Sequence, residues 1–491
     1  MSEQHRANNA NDKQENEEEP APEERQVQTQ HVTVIDDQEI PYTATTGTYV
    51  LKDKEGKAKA EIFFVAYTRD DVDDRTARPI TFAFNGGPGS SSVWLHLGML
   101  GPRKVQMEEF GRVAPPHHLE RNPHSLLDIT DLVFIDPVST GFSKPAPGEK
   151  AEDFHGYEKD IETVGEFIRL YVTRNERWLS PKFLIGESYG TTRGSGLIAH
   201  MMDTHGMAFN GLMLISVVLN FQTISFTTGN DLPYLLYLPT YAATAWYHGR
   251  LPEELQSLPL ETLLARVETF VQEAYLPALF RGDALPHSER LAIVEKLAQF
   301  TGLSPDYILQ TNLRIEIFRF TKALLRDQRR TVGRLDSRYK GLDRDAAGER
   351  FEYDPTFPQL AALYTAAFND YVRRELGFAM DEKYHVLARL YPNWDFGAKN
   401  KFLDVSDDLR KTISQNPQLQ VFIANGYYDL ATPYFATRYT IDHLGLEPEL
   451  RENIHASWYE AGHMMYIHPS SLAKLRARLL TFITESATPA A

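Results

Sequence analysis

Ser188 is the residue whose surroundings most clearly indicate chemistry, because it lies at the centre of a Gly-x-Ser-x-Gly pentapeptide at residues 186–190. The apolar run 181–185 predicts a buried strand before it, and the proline-free stretch 191–200 predicts a helix after it. A serine on a sharp strand-to-helix turn exposes its hydroxyl above the edge of a sheet. The sequence therefore predicts a nucleophile at Ser188. The alternative is a tight turn in which the serine caps the helix.

A serine nucleophile needs a base to take its proton and an acid to orient that base. In the α/β-hydrolase arrangement the acid and then the histidine follow the serine in the chain, each beyond the end of a strand. Asp429 follows the predicted strand 419–424, and His463 follows the predicted strand 454–459. The chain order and the placement predict a triad of Ser188, Asp429 and His463.

Other interpretations of the acid and the base stay open. Asp429 could cap the helix that is predicted to begin near Pro433. His463 is one of 16 histidines, and His455 and His468 are competing bases. His455 lies inside a predicted strand and His468 opens the last predicted helix, so both are poorer candidates.

A glycine-rich turn at residues 85–92 directly follows the predicted strand 80–84. Backbone N–H groups in such a turn can stabilise the oxyanion that forms during acyl transfer. The N–H of Tyr189, the residue after the nucleophile, is the expected second donor. A phosphate-binding loop is the rival interpretation, but the turn lacks the lysine and the G-x-x-x-x-G-K spacing of such a loop.

The overall composition limits the classes of function. The chain has 491 residues, of which 42% are hydrophobic, and no run approaches the roughly 20 apolar residues of a membrane span. The net charge of −16 argues against nucleic acid or an anionic membrane as a partner. Cysteine is absent, which excludes disulfides, thiolate catalysis and Cys-ligated zinc. Because the sequence also contains no His-Glu-x-x-His, we predict no metal and no cofactor.

The first 26 residues differ from the rest of the chain. They hold eight acidic residues against three basic ones, and no Val, Ile, Leu or Phe. Such a segment cannot bury enough apolar surface to fold, and it lacks the apolar centre of a signal peptide. We therefore predict a disordered acidic tail over residues 1–30. Without a recognisable signal peptide we expect a cytoplasmic location, with a periplasmic or secreted one as the alternative.

Short apolar runs alternate with helical patterns on both sides of a long helical block. This alternation predicts an α/β fold with a mainly parallel central sheet and helices on both faces, and the block interrupts it as an inserted cap domain would. The predicted division is a tail at 1–30, a sheet domain in two parts at 31–220 and 394–485, a helical cap at 221–393, and a tail at 486–491. Within the cap, residues 304–325 are predicted as one helix, and the charged segment 326–348 as an exposed loop or surface helix.

Four blocks of sequence together resemble the serine carboxypeptidase family: residues 85–91, 135–143, 186–190 and 461–464. The resemblance covers about residues 49–482 and is weak through the helical block. It implies the α/β-hydrolase fold and an exopeptidase that acts on peptides with a free C-terminus. The cysteine-free chain looks more like bacterial members of this family than like the disulfide-bearing eukaryotic ones.

The resemblance also implies roles for individual residues. It implies the triad described above, an oxyanion hole of two backbone N–H groups, and a group that holds the terminal carboxylate of the substrate. The oxyanion donors are Gly87 and Tyr189, and the carboxylate-binding group consists of Asn85, the Gly86 N–H and Glu187.

Elementary chemistry supports the role of Glu187. An ionised Glu187 would repel the carboxylate, whereas a protonated Glu187 donates a hydrogen bond to it, as does the Asn85 amide. Burial and the neighbouring carboxylate would both raise the pKa of Glu187, so substrate binding should favour acid pH. The alternative is that Glu187 is only a spacer in the pentapeptide.

The chain departs from the family at three positions. Ser90 replaces the usual cysteine, and Ala83 stands where a tryptophan usually lies. Met99 falls where many members carry a second glutamate that hydrogen-bonds the carboxylate-binding one. Glu187 must therefore be held in another way, and its titration should be broader than that of a coupled carboxyl pair.

The sequence thus predicts a serine carboxypeptidase that works through an acyl-enzyme on Ser188. The alternative is an acyltransferase or esterase that uses the same triad, because some relatives transfer the acyl group to an alcohol. A non-catalytic scaffold is a third interpretation, although no triad residue is missing.

Overall fold

The computed structural model describes residues 22–108 and 117–487. The strands in these ranges are β1 (Gln26–Ile35), β2 (Gln38–Lys52), β3 (Ala58–Arg69), β4 (Ile80–Phe84), β5 (Arg103–Val105), β6 (Leu119–Arg121), β7 (Asp131–Ile135), β8 (Lys144–Pro145), β9 (Lys182–Glu187), β10 (Gly211–Ile215), β11 (Thr331–Val332), β12 (Lys340–Gly341), β13 (Gln420–Gly426) and β14 (Ile454–Tyr459). The α-helices are α1 (Val93–Leu95), α2 (Tyr157–Arg174), α3 (Tyr189–His205), α4 (Leu232–Leu236), α5 (Leu238–Tyr247), α6 (Glu253–Gln256), α7 (Leu260–Phe270), α8 (Leu276–Arg281), α9 (His287–Thr301), α10 (Pro305–Gln310), α11 (Ile317–Ala323), α12 (Phe357–Arg374), α13 (Ser406–Gln415), α14 (Tyr434–Asp442), α15 (Pro448–Arg451) and α16 (Pro469–Ala487).

A ten-stranded central sheet has the strand order β1-β2-β3-β7-β4-β9-β10-β13-β14, with β8 paired to β3. The strands from β7 to β14 in this order are parallel, and β1, β2 and β3 extend the sheet in antiparallel fashion. The carboxyl ends of the parallel strands therefore meet at one edge, where the loops after β4, β9, β10, β13 and β14 come together. This architecture confirms the predicted α/β-hydrolase fold class with its mainly parallel sheet.

Each face of the sheet is buried against its own set of helices. Successive side chains of a strand point to opposite faces, so Leu184 joins the core beneath α2, α3 and α13, whereas Ile185 joins the core beneath α12 and α16. This double burial explains why the parallel strands are near-continuous apolar runs rather than alternating patterns.

The helical insertion has a core of its own. Side chains from α4 to α11 pack together, and they also pack against the segment 428–436 that follows β13. The helix α12 lies in the range predicted for the cap, but its apolar face packs with the core of the sheet. We therefore propose that the cap is centred on α4 to α11. Its contact with residues 428–436 attaches it to the edge where the candidate site lies.

The predicted tail over residues 1–30 is wrong in its last part. Residues 26–30 belong to β1, which pairs along its whole length with β2, and the Arg25 carbonyl accepts a 2.8 Å hydrogen bond from the N–H of Thr48. The composition concealed this strand because an edge strand with one solvated face needs few apolar residues. The rest of the predicted tail, residues 1–21, lies outside the described residues.

Two further boundaries differ from the prediction. The single helix predicted over residues 304–325 is divided into α10 and α11, because Asn312 and Leu313 adopt positive φ angles of 51° and 65° between them. At the other end of the chain, Ser486 and Ala487 extend α16 instead of starting a tail, and residues 488–491 lie outside the described ranges.

No helix within residues 22–108 and 117–487 combines the length and the apolar character that a membrane crossing requires.

Candidate active site

Ser188 lies on the sharp turn between β9 and α3. Its φ of 59° and ψ of −129° are strained for a residue with a side chain, and its N–H donates a 2.9 Å hydrogen bond to the carbonyl of Ile215 at the end of β10. The turn needs glycine at Gly186, because a Cβ there would lie 2.2 Å from the Gly190 carbonyl oxygen. The side chain of Ser188 is half-buried at the carboxyl edge of the sheet. This is the geometry that a sharp strand-to-helix turn gives a serine nucleophile.

Asp429 and His463 are in direct contact. His463 Nδ1 lies 2.7 Å from Asp429 Oδ2, and the two side chains are 5% and 0% exposed. The other carboxylate oxygen accepts hydrogen bonds from the N–H groups of Ala431 at 2.7 Å and Thr432 at 3.0 Å. These bonds fix the carboxylate, which in turn orients the imidazole. Asp429 therefore organises its own turn and binds the histidine, and the alternative that it caps the following helix is wrong, because α14 has Pro433 as its N-cap and no side-chain cap hydrogen bond.

The ionisation of His463 reflects this pairing. Burial alone lowers the pKa of the imidazole, but the charge of Asp429 and its hydrogen bond overcome that effect and raise the pKa of His463 above its usual value. A base with a raised pKa accepts a proton more readily, and the imidazolium that forms remains paired with Asp429.

Ser216 connects the loops that carry Ser188 and His463. It follows β10, its N–H donates a 2.7 Å hydrogen bond to the Ala424 carbonyl, and its hydroxyl donates a 2.5 Å hydrogen bond to the His463 carbonyl. The residue before it, Ile215, accepts the hydrogen bond of the Ser188 N–H. Ser216 is thus a hydrogen-bonded link between the nucleophile loop and the histidine loop, and the sequence contained no signal for it.

The competing histidines lie away from this pair. His455 is an exposed residue of β14 whose Nε2 contacts the Gln420 side chain at 2.9 Å. His468 precedes α16, and its Nδ1 lies 3.0 Å from the Ser470 hydroxyl. The histidine bonded to Asp429 is His463.

The glycine-rich turn after β4 lies against the nucleophile turn. A Cβ on Gly86 would lie 2.4 Å from the Tyr189 nitrogen, so only glycine allows the two backbones to approach this closely. Gly87 has a φ of 104°, which also favours glycine. The structure therefore brings together the two backbone segments that carry the predicted oxyanion donors, Gly87 and Tyr189.

A buried aspartate holds the far end of the same turn. Asp136 follows β7, and one of its carboxylate oxygens accepts 2.8 Å hydrogen bonds from both the N–H and the hydroxyl of Ser92. Burial raises the pKa of Asp136 to about 6, and the two bonds to Ser92 act in the opposite direction. The Asp136 carboxyl therefore ties the end of the turn to the sheet.

Glu187 is buried directly beside Ser188 and is 4% exposed. The Tyr466 hydroxyl donates a 2.6 Å hydrogen bond to its Oε2, and the Asn85 side chain also interacts with it. Burial raises the pKa of Glu187 to about 7, although His463, Tyr466 and Asn85 all oppose the increase. Below about pH 7 this carboxyl is therefore mostly protonated and able to donate a hydrogen bond.

Asn85 is fixed by hydrogen bonds to its side-chain oxygen and to its backbone carbonyl. Its side-chain oxygen accepts a 3.1 Å hydrogen bond from the Leu95 N–H, which leaves the amide NH2 as a donor. Its backbone carbonyl accepts a 2.6 Å hydrogen bond from Arg193, a fully buried residue of α3 that also pairs with Asp160 at 2.8 Å. The ion pair between Arg193 and Asp160 thus positions Asn85 from beneath, and it was not predicted from the sequence.

The charged segment 326–348 is partly buried, which corrects the prediction of an exposed loop or surface helix. The Leu335 carbonyl accepts a 2.6 Å hydrogen bond from the His463 N–H, and the Arg334 carbonyl accepts a 2.9 Å hydrogen bond from the Leu430 N–H. Asp336 and Arg338 form a buried ion pair of 2.6 Å beneath the histidine loop. The charges neutralise one another and can therefore be buried, which a count of charges cannot reveal.

Within the described ranges no group of three or more His, Asp or Glu side chains is arranged to hold a metal ion. The structure therefore brings the eight residues predicted from the sequence to one edge of the sheet, and it adds Tyr466, Arg193, Ser216 and the segment 334–338 around them.

Comparison with known proteins gives consistent results. A profile of the serine carboxypeptidase family matches residues 37–467. The pheromone-processing carboxypeptidase KEX1 of Saccharomyces cerevisiae is 31% identical over 144 residues, which are 28% of this chain and 19% of the relative. The lysosomal protective protein of Mus musculus is 21% identical over 399 residues, covering 76% of this chain and 73% of that protein.

A solved structure supports the fold. The crystal structure of a prohormone-processing carboxypeptidase from Saccharomyces cerevisiae superposes with a TM-score of 0.59 at 16% identity, covering 90% of this chain and 92% of that chain. At this level of identity the similarity establishes the fold, and the chemistry has to be argued from the site itself.

Proposed function

The chain belongs to the serine carboxypeptidase family, and we propose that it hydrolyses the C-terminal residue from peptides through an acyl-enzyme on Ser188. The observation that carries this proposal is the buried, protonatable Glu187 carboxyl between the nucleophile and Asn85. An ordinary esterase has no need of such a group, whereas an exopeptidase must bind a free carboxylate next to the scissile bond.

In the proposed reaction His463 takes the proton of Ser188 as the serine oxygen attacks the last peptide carbonyl. The Gly87 and Tyr189 N–H groups stabilise the negative charge on the carbonyl oxygen. The C–N bond then breaks, and the leaving amino acid takes the proton from His463. Asp429 holds the imidazole in the tautomer that can accept the serine proton.

Water completes the cycle. A water molecule gives a proton to His463 and attacks the acyl carbon, and Ser188 recovers its proton as the shortened peptide leaves. Each step uses groups of this chain and water alone.

The terminal carboxylate is proposed to bind to Asn85, the Gly86 N–H and Glu187. Asn85 presents its amide NH2 as a donor, because its side-chain oxygen is already hydrogen-bonded to the Leu95 N–H. Protonated Glu187 supplies a further donor, so the carboxylate is met by donors alone. When Glu187 ionises, the same position carries a negative charge and repels the substrate, so activity should decline as the pH rises above about 7.

The names of the relatives support only a broad statement about the substrate class and the location. One relative is named for pheromone processing and another for the lysosome, so we propose peptides as substrates and give no preference to the cytoplasmic location that the sequence predicted.

The experiment that tests this proposal is mass spectrometry of defined peptides incubated with the protein. We expect stepwise loss of residues from the C-terminus, and the same experiment with an added alcohol should still give mainly the free acid. Internal cleavage, or transfer of the acyl group to the alcohol as the main product, would contradict it.

A further inference from the structure

Arg334 is a cation of the inserted domain that lies beside the candidate triad without a partner of its own. Its carbonyl is bonded to the Leu430 N–H, one residue after Asp429, and the next carbonyl along the chain is bonded to the His463 N–H. Its side chain is half-buried. No hydrogen bond or ion pair joins its guanidinium to any residue that the structure describes.

The charge of Arg334 acts on two groups near the site. Burial lowers the pKa of His463 and the charge of Asp429 raises it, and the charge of Arg334 acts in the same direction as burial. The same charge opposes the effect of burial at Tyr237, which raises the pKa of the Tyr237 hydroxyl. Tyr237 belongs to the turn between α4 and α5, and its hydroxyl has no hydrogen-bond partner among the described residues.

Such an arrangement is unfavourable without an anion. The half-buried Arg334 side chain loses part of its hydration with no ion pair among the described residues to offset that loss, and its charge disfavours the imidazolium that His463 becomes during catalysis. Two other arginines of the charged segment 326–348 have carboxylate partners. Arg338 pairs with Asp336, and Arg344 pairs with Glu352. A bound carboxylate would remove both penalties, and guanidinium recognises carboxylates with two parallel hydrogen bonds.

We propose that Arg334 binds a carboxylate side chain of the substrate, so that the enzyme prefers peptides with Asp or Glu at one of the two residues that flank the scissile bond. This inference rests on the proposed carboxypeptidase function. We assign Arg334 to a side chain of the substrate rather than to its terminal carboxylate, because the proposed function already gives the terminal carboxylate Asn85 and Glu187 as partners.

The test uses peptides that differ only by Glu, Gln or Lys at the last or the penultimate position, all with free C-termini. For the wild-type protein we expect kcat/KM to be roughly tenfold to a hundredfold higher with Glu than with Gln at the recognised position. This is the typical effect of losing a charge-assisted hydrogen bond, which Gln cannot form. In Arg334→Gln this ratio should fall to near one. In Arg334→Glu the order should reverse, with Lys preferred.

The control variant is Arg344→Gln, which removes an exposed arginine from the same segment and should keep the wild-type ratio. Labelling of Ser188 by a fluorophosphonate reports on folding of the site in every variant. An unchanged Glu-to-Gln ratio in Arg334→Gln would overturn the inference. So would an equal loss with all free-acid peptides, because that result assigns Arg334 to the terminal carboxylate. If no peptide loses its C-terminal residue in any variant, the proposed function itself fails.

Discussion

The Tyr466 hydroxyl donates a 2.6 Å hydrogen bond to the Glu187 carboxyl, and Tyr466 follows closely after His463 in the chain. This hydrogen bond holds Glu187 in a chain that has Met99 at the position expected for the second glutamate of many family members. A neutral hydroxyl fixes the position of the carboxyl without adding a second ionisable acid. The same tyrosine therefore links the loop of the proposed base to the proposed carboxylate site.

The first prediction concerns Tyr466→Phe. The hydrogen bond from Tyr466 favours the ionised form of Glu187, so its loss should raise the pKa of Glu187 further above about 7. The alkaline decline of kcat/KM on free-acid peptides should then move to higher pH. Profiles from acid to alkaline pH measure this, with Tyr459→Phe as a control at another buried tyrosine. A decline that stays in place would show that Tyr466 does not act on Glu187, and one that moves to lower pH would show that Tyr466 favours the protonated form instead.

The second prediction concerns the nucleophile. Ser188→Ala should lose covalent labelling by a fluorophosphonate and should reduce turnover by several orders of magnitude, while the melting temperature stays close to that of the wild type. Ser195→Ala is the matched control, because Ser195 is a buried serine of α3, the helix that begins after Ser188, and its hydroxyl has no hydrogen-bond partner in the described part of the chain. Full labelling of Ser188→Ala would exclude this serine as the nucleophile.

The third prediction concerns the base and its acid. His463→Ala should lower activity about as much as Ser188→Ala does, and Asp429→Asn should lower it somewhat less. The double variants should be only slightly less active than the single ones, because the three residues act as a unit. His455→Ala should retain activity because the His455 side chain contacts Gln420 at the surface. The comparison needs kcat/KM for each variant. An inactive His455→Ala with an active His463→Ala would mean that the base is misassigned.

The fourth prediction concerns stability. Arg193→Met leaves Asp160 buried without its partner, and breaking a buried ion pair on one side typically costs about 3–5 kcal/mol of the free energy of unfolding. Denaturant titration measures this loss. Arg374→Met removes an arginine whose side chain is 80% exposed and should change stability by less than about 1 kcal/mol. If both variants lost equally little, the Arg193–Asp160 pair would not hold the turn of Asn85.

Local patterns were sufficient to predict the parallel strands of the sheet, although not the edge strand β1. β4 and β14 have the predicted bounds, 80–84 and 454–459, because each is an apolar or amphipathic run between polar turns. The strand-to-helix turn at Ser188 was predictable for the same reason. The loops after these strands meet because parallel strands end at one edge, so the order of the residues along the chain already implied that they converge.

Contacts between distant segments could not be predicted in this way. Arg193 and Asp160 lie on two different helices, and Leu335 reaches His463 from a charged segment that composition assigns to the surface. Tyr466 was not considered because nothing in its neighbourhood distinguishes it from the other buried tyrosines. These residues act by packing around the site, and packing depends on the whole fold rather than on neighbours in sequence.

The central claim, recognition of a free C-terminus by Asn85 and Glu187, is tested most directly by comparing one peptide as its free acid and as its C-terminal amide. Amidation removes the charged acceptor, which should lower kcat/KM roughly tenfold to a hundredfold below pH 7. The preference for the free acid should decline above about pH 7, where Glu187 ionises, and it should decline less in Glu187→Gln, which keeps a donor and cannot ionise. Equal kcat/KM on the two peptides, with the same pH profile for both enzymes, would contradict this account.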